Sequence, residues 1–214
     1  MFGMSKKDKS IGESAGRQVS SRHSRGWKNI LDHLKSSDAL RVLDFGATSP
    51  ANINYLTSLG HSVYMANIVQ DAARPEYWAL PPNSSAKANL EFAVDRFVEG
   101  NFEFSRREFD VILLWDTANF LPASLTPVLF ERLGQILKPE GRLLAFFHGR
   151  NEGPGTEFTR FQITDSDLLT MLSAGAHPIQ ALYQTRQIEK FLEGYSNIRF
   201  VLGKDNVREV IAIR

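Results

Sequence analysis

The chain has 214 residues, a formal net charge of +1 and 43% hydrophobic residues, enough for one α/β domain with a full core and too little for two. The near-neutral balance excludes a protein that binds nucleic acid by its overall charge. The absence of cysteine excludes disulfides, thiolate metal sites and cysteine nucleophiles, and is compatible with a reducing cytosol.

Residues 1–24 are rich in Ser, Gly, Lys and Arg and lack apolar periodicity, so a flexible basic arm is expected there, with 25–214 as a single domain. MFGMSKKDKS has no apolar stretch after its charges and does not read as a secretory signal. The longest apolar runs, VILLW and LLAFF, fall far below the roughly 18 residues of a membrane helix. A cytoplasmic location is the expectation.

GWKNILDHLKSS spaces Trp27, Ile30, Leu31 and Leu34 as one helical stripe. LRVLDF is a continuous apolar run ending at Asp44, as a central parallel strand would be. Ser49 and Pro50 form a helix start, and PANINYLTSL turns Ile53, Leu56 and Leu59 inward before Gly60 stops it. HSVYMANI is a second strand. Pro75, Pro81 and Pro82 then prevent a long helix, and LEFAV reads as strand or buried turn. FDVILLWD is a strand ending in an acid. LTPVLFERLGQIL is an amphipathic helix with Val128, Leu129, Leu133 and Ile136 on one side, followed by the turn KPEG and the strand RLLAFF. SNIRFVL, GKDN and REVIAIR make a β-hairpin. Strands and helices that alternate through 41–147 predict a doubly wound, mostly parallel sheet, here closed by an antiparallel hairpin.

Two blocks carry a family resemblance. VLDFGATSPANINYLTSLGHSVYMANI and FDVILLWDTANFLPASLTPVLFERLGQILKPEGRLLAFFHG resemble the class I S-adenosylmethionine-dependent methyltransferases. The resemblance implies a seven-stranded Rossmann-like sheet with a final antiparallel strand inserted as a hairpin, S-adenosylmethionine as cofactor, and a cofactor crevice at the carboxyl ends of the strands. It implies that Asp44 orders the first loop and the ammonium side of the cofactor. Gly46 falls on the first glycine of the D-x-G-x-G-x-G pattern, while Thr48 and Pro50 stand where the others would be. Asn67 replaces the acid expected to meet the ribose hydroxyls, and Asn101 in VEGNFEF replaces the acid expected at the adenine amino group. Trp115 and Asp116 fall beside the methionine part.

Asp116 follows five apolar residues, a placement that calls for a site role. His148 ends the next strand and is a candidate base, or a hydrogen-bonded strand cap. GRNEGPGTEF after it has the composition of a lid. Tyr77 and Trp78 would either cover the cofactor or acceptor, or pack in the core.

The expected activity is in-line methyl transfer to a small-molecule or protein acceptor, in which alignment does most of the work and a base is needed only where the acceptor loses a proton. No cluster has metal-ligand spacing, so a metal-independent reaction is expected. Two alternatives stand beside it: a methyltransferase-like protein that binds the cofactor or its product without turnover, and a nicotinamide oxidoreductase, disfavoured because GATSPA lacks G-x-G-x-x-G.

Overall fold

A computed structural model describes residues 18–47, 49–82, 89–104, 107–150, 157–203 and 205–214. Its elements run β1 (Gln18–His23), α1 (Arg25–Lys35), β2 (Arg41–Asp44), α2 (Pro50–Ser58), β3 (Ser62–Met65), α3 (Ile68–Ala72), β4 (Trp78–Ala79), β5 (Glu91–Phe92) and α4 (Val94–Asn101). They continue with β6 (Phe109–Trp115), α5 (Thr117–Phe120), α6 (Thr126–Ile136), β7 (Leu137–His148), β8 (Glu157–Gln162), β9 (Leu168–Ala176), α7 (Thr185–Phe191), β10 (Ser196–Leu202) and β11 (Val207–Ile213).

The main sheet has the order β10-β11-β7-β6-β2-β3. Strands β3, β2, β6 and β7 are parallel, and β11 runs antiparallel to both β7 and β10. The mostly parallel sheet with an inserted terminal hairpin is therefore present. Period-two alternation along the strands feeds two cores. Val42, Val111, Leu113, Leu144 and Phe146 face Trp27, Ile30, Leu31 and Leu34 of α1. Leu43, Ile112, Leu114, Leu143 and Phe147 face α4, α6 and α7 through Phe97, Leu129, Phe130, Leu133 and Ile188. Each such large side chain stabilises the fold by about 1.5–3 kcal/mol on burial. Among the described residues, no helix is long and apolar enough to cross a membrane.

Several expectations need correction. The main sheet has six strands, not seven, among the described residues. From LEFAV only Glu91 and Phe92 pair, antiparallel to Trp78 and Ala79 and not to β3, before the chain turns at Ala93 into α4. Prolines at 75, 81 and 82 break this segment before a longer strand can form. In α2, Asn52 and Leu56 are the buried positions and Ile53 is only half-buried. In α6, Phe130 takes the inward place expected of Val128. KPEG is a looped-out bulge inside β7: Phe109 pairs with Leu137 and Val111 already with Arg142. A Cβ on Gly141 would lie 2.7 Å from the Lys138 carbonyl oxygen, so this bulge needs glycine.

The arm expected over 1–24 meets a strand at its end. β1 pairs with β9, and β9 with β8, in an antiparallel sheet of order β1-β9-β8. Residues 1–17 lie outside the described residues. β1 is tied to the main sheet by a buried ion pair, Arg22 Nη2 to Glu209 Oε1 at 2.7 Å. Glu209 Oε2 also accepts from Gly26 N (2.6 Å) and Ser24 Oγ (3.0 Å) at the start of α1. The carboxylate thus satisfies an otherwise open helix amide and complements the helix dipole.

Candidate functional site

In a doubly wound sheet the carboxyl ends of neighbouring strands, where helices depart to opposite faces, form a crevice. Here β2, β6 and β7 deliver Asp44, Trp115, Asp116 and His148 to that pole.

Asp44 closes β2 and is fully buried. Its Oδ1 accepts from Trp115 Nε1 (2.7 Å) and Gly46 N (2.9 Å), and Asn52 Nδ2 approaches Oδ2 at 3.5 Å. Burial raises its carboxyl to about 6, against the opposing pull of the Trp115, Gly46 and Asn52 donors. Gly46 is required for packing: a Cβ there would stand 2.6 Å from Trp115 Cδ1. Ser49 caps α2 with Pro50 in its first turn, as expected. Thr48 lies outside the described residues.

Trp115 is buried and has φ +50, the left-handed region that a bulky residue rarely adopts. The β6–β7 register shifts between Leu113 and Trp115, which re-aims the indole over Gly46. Its ring stacks on Phe161 at 5.2 Å and 17°. Asn52 fastens that part of β8 through Nδ2 to the Phe161 carbonyl (2.9 Å) and Oδ1 from Ile163 N (2.9 Å).

Asp116 follows β6 directly and is 1% exposed. His148 ends β7, and its Nε2 lies 3.1 Å from Asp116 Oδ2. Among the described residues, buried Asp116 Oδ1 has no hydrogen-bond partner. Burial raises the Asp116 carboxyl, and His148 opposes that shift. The His148 amide donates to Asn119 Oδ1 (2.9 Å), and its ring meets Phe120 edge-on at 5.8 Å. Asn119 reaches further: Nδ2 donates to the Ala181 carbonyl (2.7 Å), and its own carbonyl accepts from Gln180 N (2.7 Å). A cavity of about 80 Å³ lies beside Phe120, walled also by Val69, Trp78, His177 and Gln180.

The other expected cofactor residues have partners of their own. Asn67 sits at the end of β3 but caps α3, accepting from Gln70 N at 3.4 Å. Asn101 ends α4 rather than a strand, and Nδ2 donates to Tyr77 Oη and the Phe97 carbonyl. Tyr77 is core, packed edge-on against Phe97, and Trp78 anchors its indole N–H on the Ala72 carbonyl. Asn52 and Phe161 join the site without being expected from the sequence. Asn52 had a signal: it lies four residues before Leu56 on the inner face of α2, where a buried amide demands partners.

The donor set suits a cationic, protic ligand such as S-adenosylmethionine in chemistry. There is an acid at the end of β2, an amide after β3 and, among the described residues, a carboxylate oxygen of Asp116 without a hydrogen-bond partner. On the Asp44 side the space is taken by Trp115.

No family model and no curated protein matches the sequence. Among solved structures, the chain is similar to TehB from Haemophilus influenzae, at 13% identity and a TM-score of 0.46, covering 87% of this chain and 62% of that one. It is also similar to 1,6-didemethyltoxoflavin-N1-methyltransferase from Burkholderia thailandensis, with bound 1,6-didemethyltoxoflavin and S-adenosylhomocysteine: 14% identity, TM-score 0.47, covering 89% of this chain and 79% of that one. A third is magnesium protoporphyrin IX methyltransferase from Synechocystis PCC 6803 with bound SAM: 14% identity, TM-score 0.46, covering 88% and 80%. The chain thus spans less than two thirds of the TehB structure. Likenesses at this level carry nothing about the site, and the fold rests on the strand order and directions described above.

Proposed function

We propose that this protein transfers a methyl group from S-adenosylmethionine to a protic small-molecule acceptor, with His148 as base and Asp116 holding it. The observation that carries this reading is the Asp116–His148 pair at the carboxyl ends of adjacent strands, with one Asp116 oxygen still unpartnered. When bound, S-adenosylmethionine supplies an electrophilic methyl carbon on a sulfonium. His148 would take the proton that the acceptor oxygen or nitrogen loses as it accepts the methyl group, with S-adenosylhomocysteine as the leaving product. Asp116 fixes the imidazole and faces the imidazolium that results. Its free oxygen is a hydrogen-bond acceptor for the ligand, and leaving it bare costs about 1–3 kcal/mol.

The test is transfer of label from methyl-labelled S-adenosylmethionine to a panel of small hydroxyl, amine and carboxyl compounds. Turnover in wild type that falls at least a hundredfold in His148→Gln, with donor affinity kept, supports the reading. Equal turnover in the variant sinks the role of His148. Trp115 on Asp44 favours a second reading, a methyltransferase-like protein without turnover. Donor binding with no transfer to any acceptor would select it.

A further inference from the structure

We propose that Trp115 is a gate on the first loop: its indole N–H holds the face of Asp44 that a cationic methyl donor needs, and the donor binds only as the indole leaves. This rests on the methyl-donor reading above.

Three observations converge on it. Among the side-chain and backbone donors to the Asp44 carboxylate, Trp115 Nε1 makes the shortest contact, 2.7 Å, against 2.9 Å from Gly46 N and 3.5 Å from Asn52 Nδ2. The indole also fills the space over Gly46, since an added Cβ would lie 2.6 Å from its Cδ1. A ligand group laid on that glycine would meet the ring before it met the loop. Finally, the indole reaches this place only through a left-handed backbone at φ +50 and a shifted register at the end of β6. A Trp in the left-handed region costs on the order of 1–2 kcal/mol, so the closed arrangement stores strain that an ordinary backbone would release. Strain of this kind persists only where the surroundings hold it, and it clusters at functional sites.

The closed state is also latched from outside. Phe161 stacks on the indole, and Asn52 holds the backbone of Phe161 and Ile163 against the start of α2. Opening must therefore part the indole from Phe161 of β8, Phe146 of β7 and Trp27 of α1, and the donor's affinity is reduced by that work. A donor that must displace the indole replaces one charge-assisted hydrogen bond on Asp44 with another, so the loss of apolar stacking sets the penalty.

Calorimetric titration of S-adenosylmethionine and S-adenosylhomocysteine into wild type, Trp115→Phe and Trp115→Ala is the test. Trp115→Phe keeps an aromatic ring in the packing but removes the N–H from Asp44. It should bind both ligands about tenfold more tightly, the scale of one lost hydrogen bond to a charged acceptor. In wild type labelled with 15N-tryptophan, the Trp115 indole N–H signal should shift and lose its exchange protection on saturation, a readout independent of how well the variants fold. Equal affinities together with an unmoved indole signal overturn the gate and leave the methyl-donor reading standing. No binding to wild type or to either variant overturns the methyl-donor reading, and the gate with it.

Discussion

His148 Nε2 lies 3.1 Å from Asp116 Oδ2, although the two residues stand 32 positions apart in the chain. Parallel pairing of β6 with β7 sets Trp115 opposite Ala145, so the end of β7 at His148 runs just past the end of β6 and within reach of Asp116. The acid is the more deeply buried partner, with 1% of its side chain exposed against 16% for the histidine. The histidine is thus the more exposed member of the pair, and the acid is the one that holds it. Asp116→Asn preserves the shape but removes the charge facing the imidazolium. Its turnover is expected to fall in the same direction as that of His148→Gln, while the fold, read by thermal unfolding, is retained. A variant with full turnover would contradict the pairing as a functional unit.

Asp44 supplies a pH signature in stability. Its carboxyl is raised by burial to about 6, above the ordinary value of 3.8. The folded state therefore holds this proton more tightly than the unfolded chain does. The stability it contributes is complete below about 4 and is lost as pH rises through about 6. Two units correspond to about 3 kcal/mol. Urea unfolding of wild type and Asp44→Asn at pH 4 and pH 7 measures the difference. Wild type should lose stability relative to the variant over that interval, and parallel curves would show that the carboxyl is not raised.

Gly46 and Trp115 are predicted to be energetically coupled. Gly46→Ala places a Cβ 2.6 Å from the indole and should cost about 1–3 kcal/mol through overpacking. In a Trp115→Phe background the smaller ring leaves more room, so the same substitution should cost less. A double-mutant cycle by chemical unfolding reads the coupling directly. Additive effects would mean that the two residues do not press on each other.

The Arg22–Glu209 pair predicts that β1 is an integral strand. Glu209→Ala leaves the buried guanidinium with only the exposed Asp205 carboxylate, 3.2 Å from Nη1, and an α1 amide unsatisfied, for a loss of about 3 kcal/mol. Replacing both partners by Met and Leu should recover most of it. A loss below about 1 kcal/mol in Glu209→Ala, the scale of an exposed ion pair, would place the pair at the surface in solution.

Much of this fold is legible in the sequence because it is written in local patterns. The α1 stripe, the apolar runs of β2 and β6 and the terminal hairpin all follow from periodicity and turn residues. Asp116 and His148 stand out as polar groups ending apolar strands. Their contact, however, depends on which strands are neighbours. The β1-β9-β8 sheet is hidden for a related reason: β1 and β9 are joined across well over a hundred residues, and neither β1 nor β9 shows a clean apolar alternation. Trp115 hides its role in its backbone. Nothing in VILLW announces a left-handed residue at the strand end, so the sequence places Trp115 beside the cofactor without showing that its indole lies on Asp44. Asn101 was misplaced because GN ends a helix here instead of a third strand.

The most direct measurement is a crystal structure of the protein with S-adenosylhomocysteine. It should show the ligand's amino group on Asp44 in place of the Trp115 indole, and its sulfur facing His148 across a gap that an acceptor atom can fill. A ligand bound elsewhere, or a Trp115–Asp44 bond intact at saturation, would contradict the account.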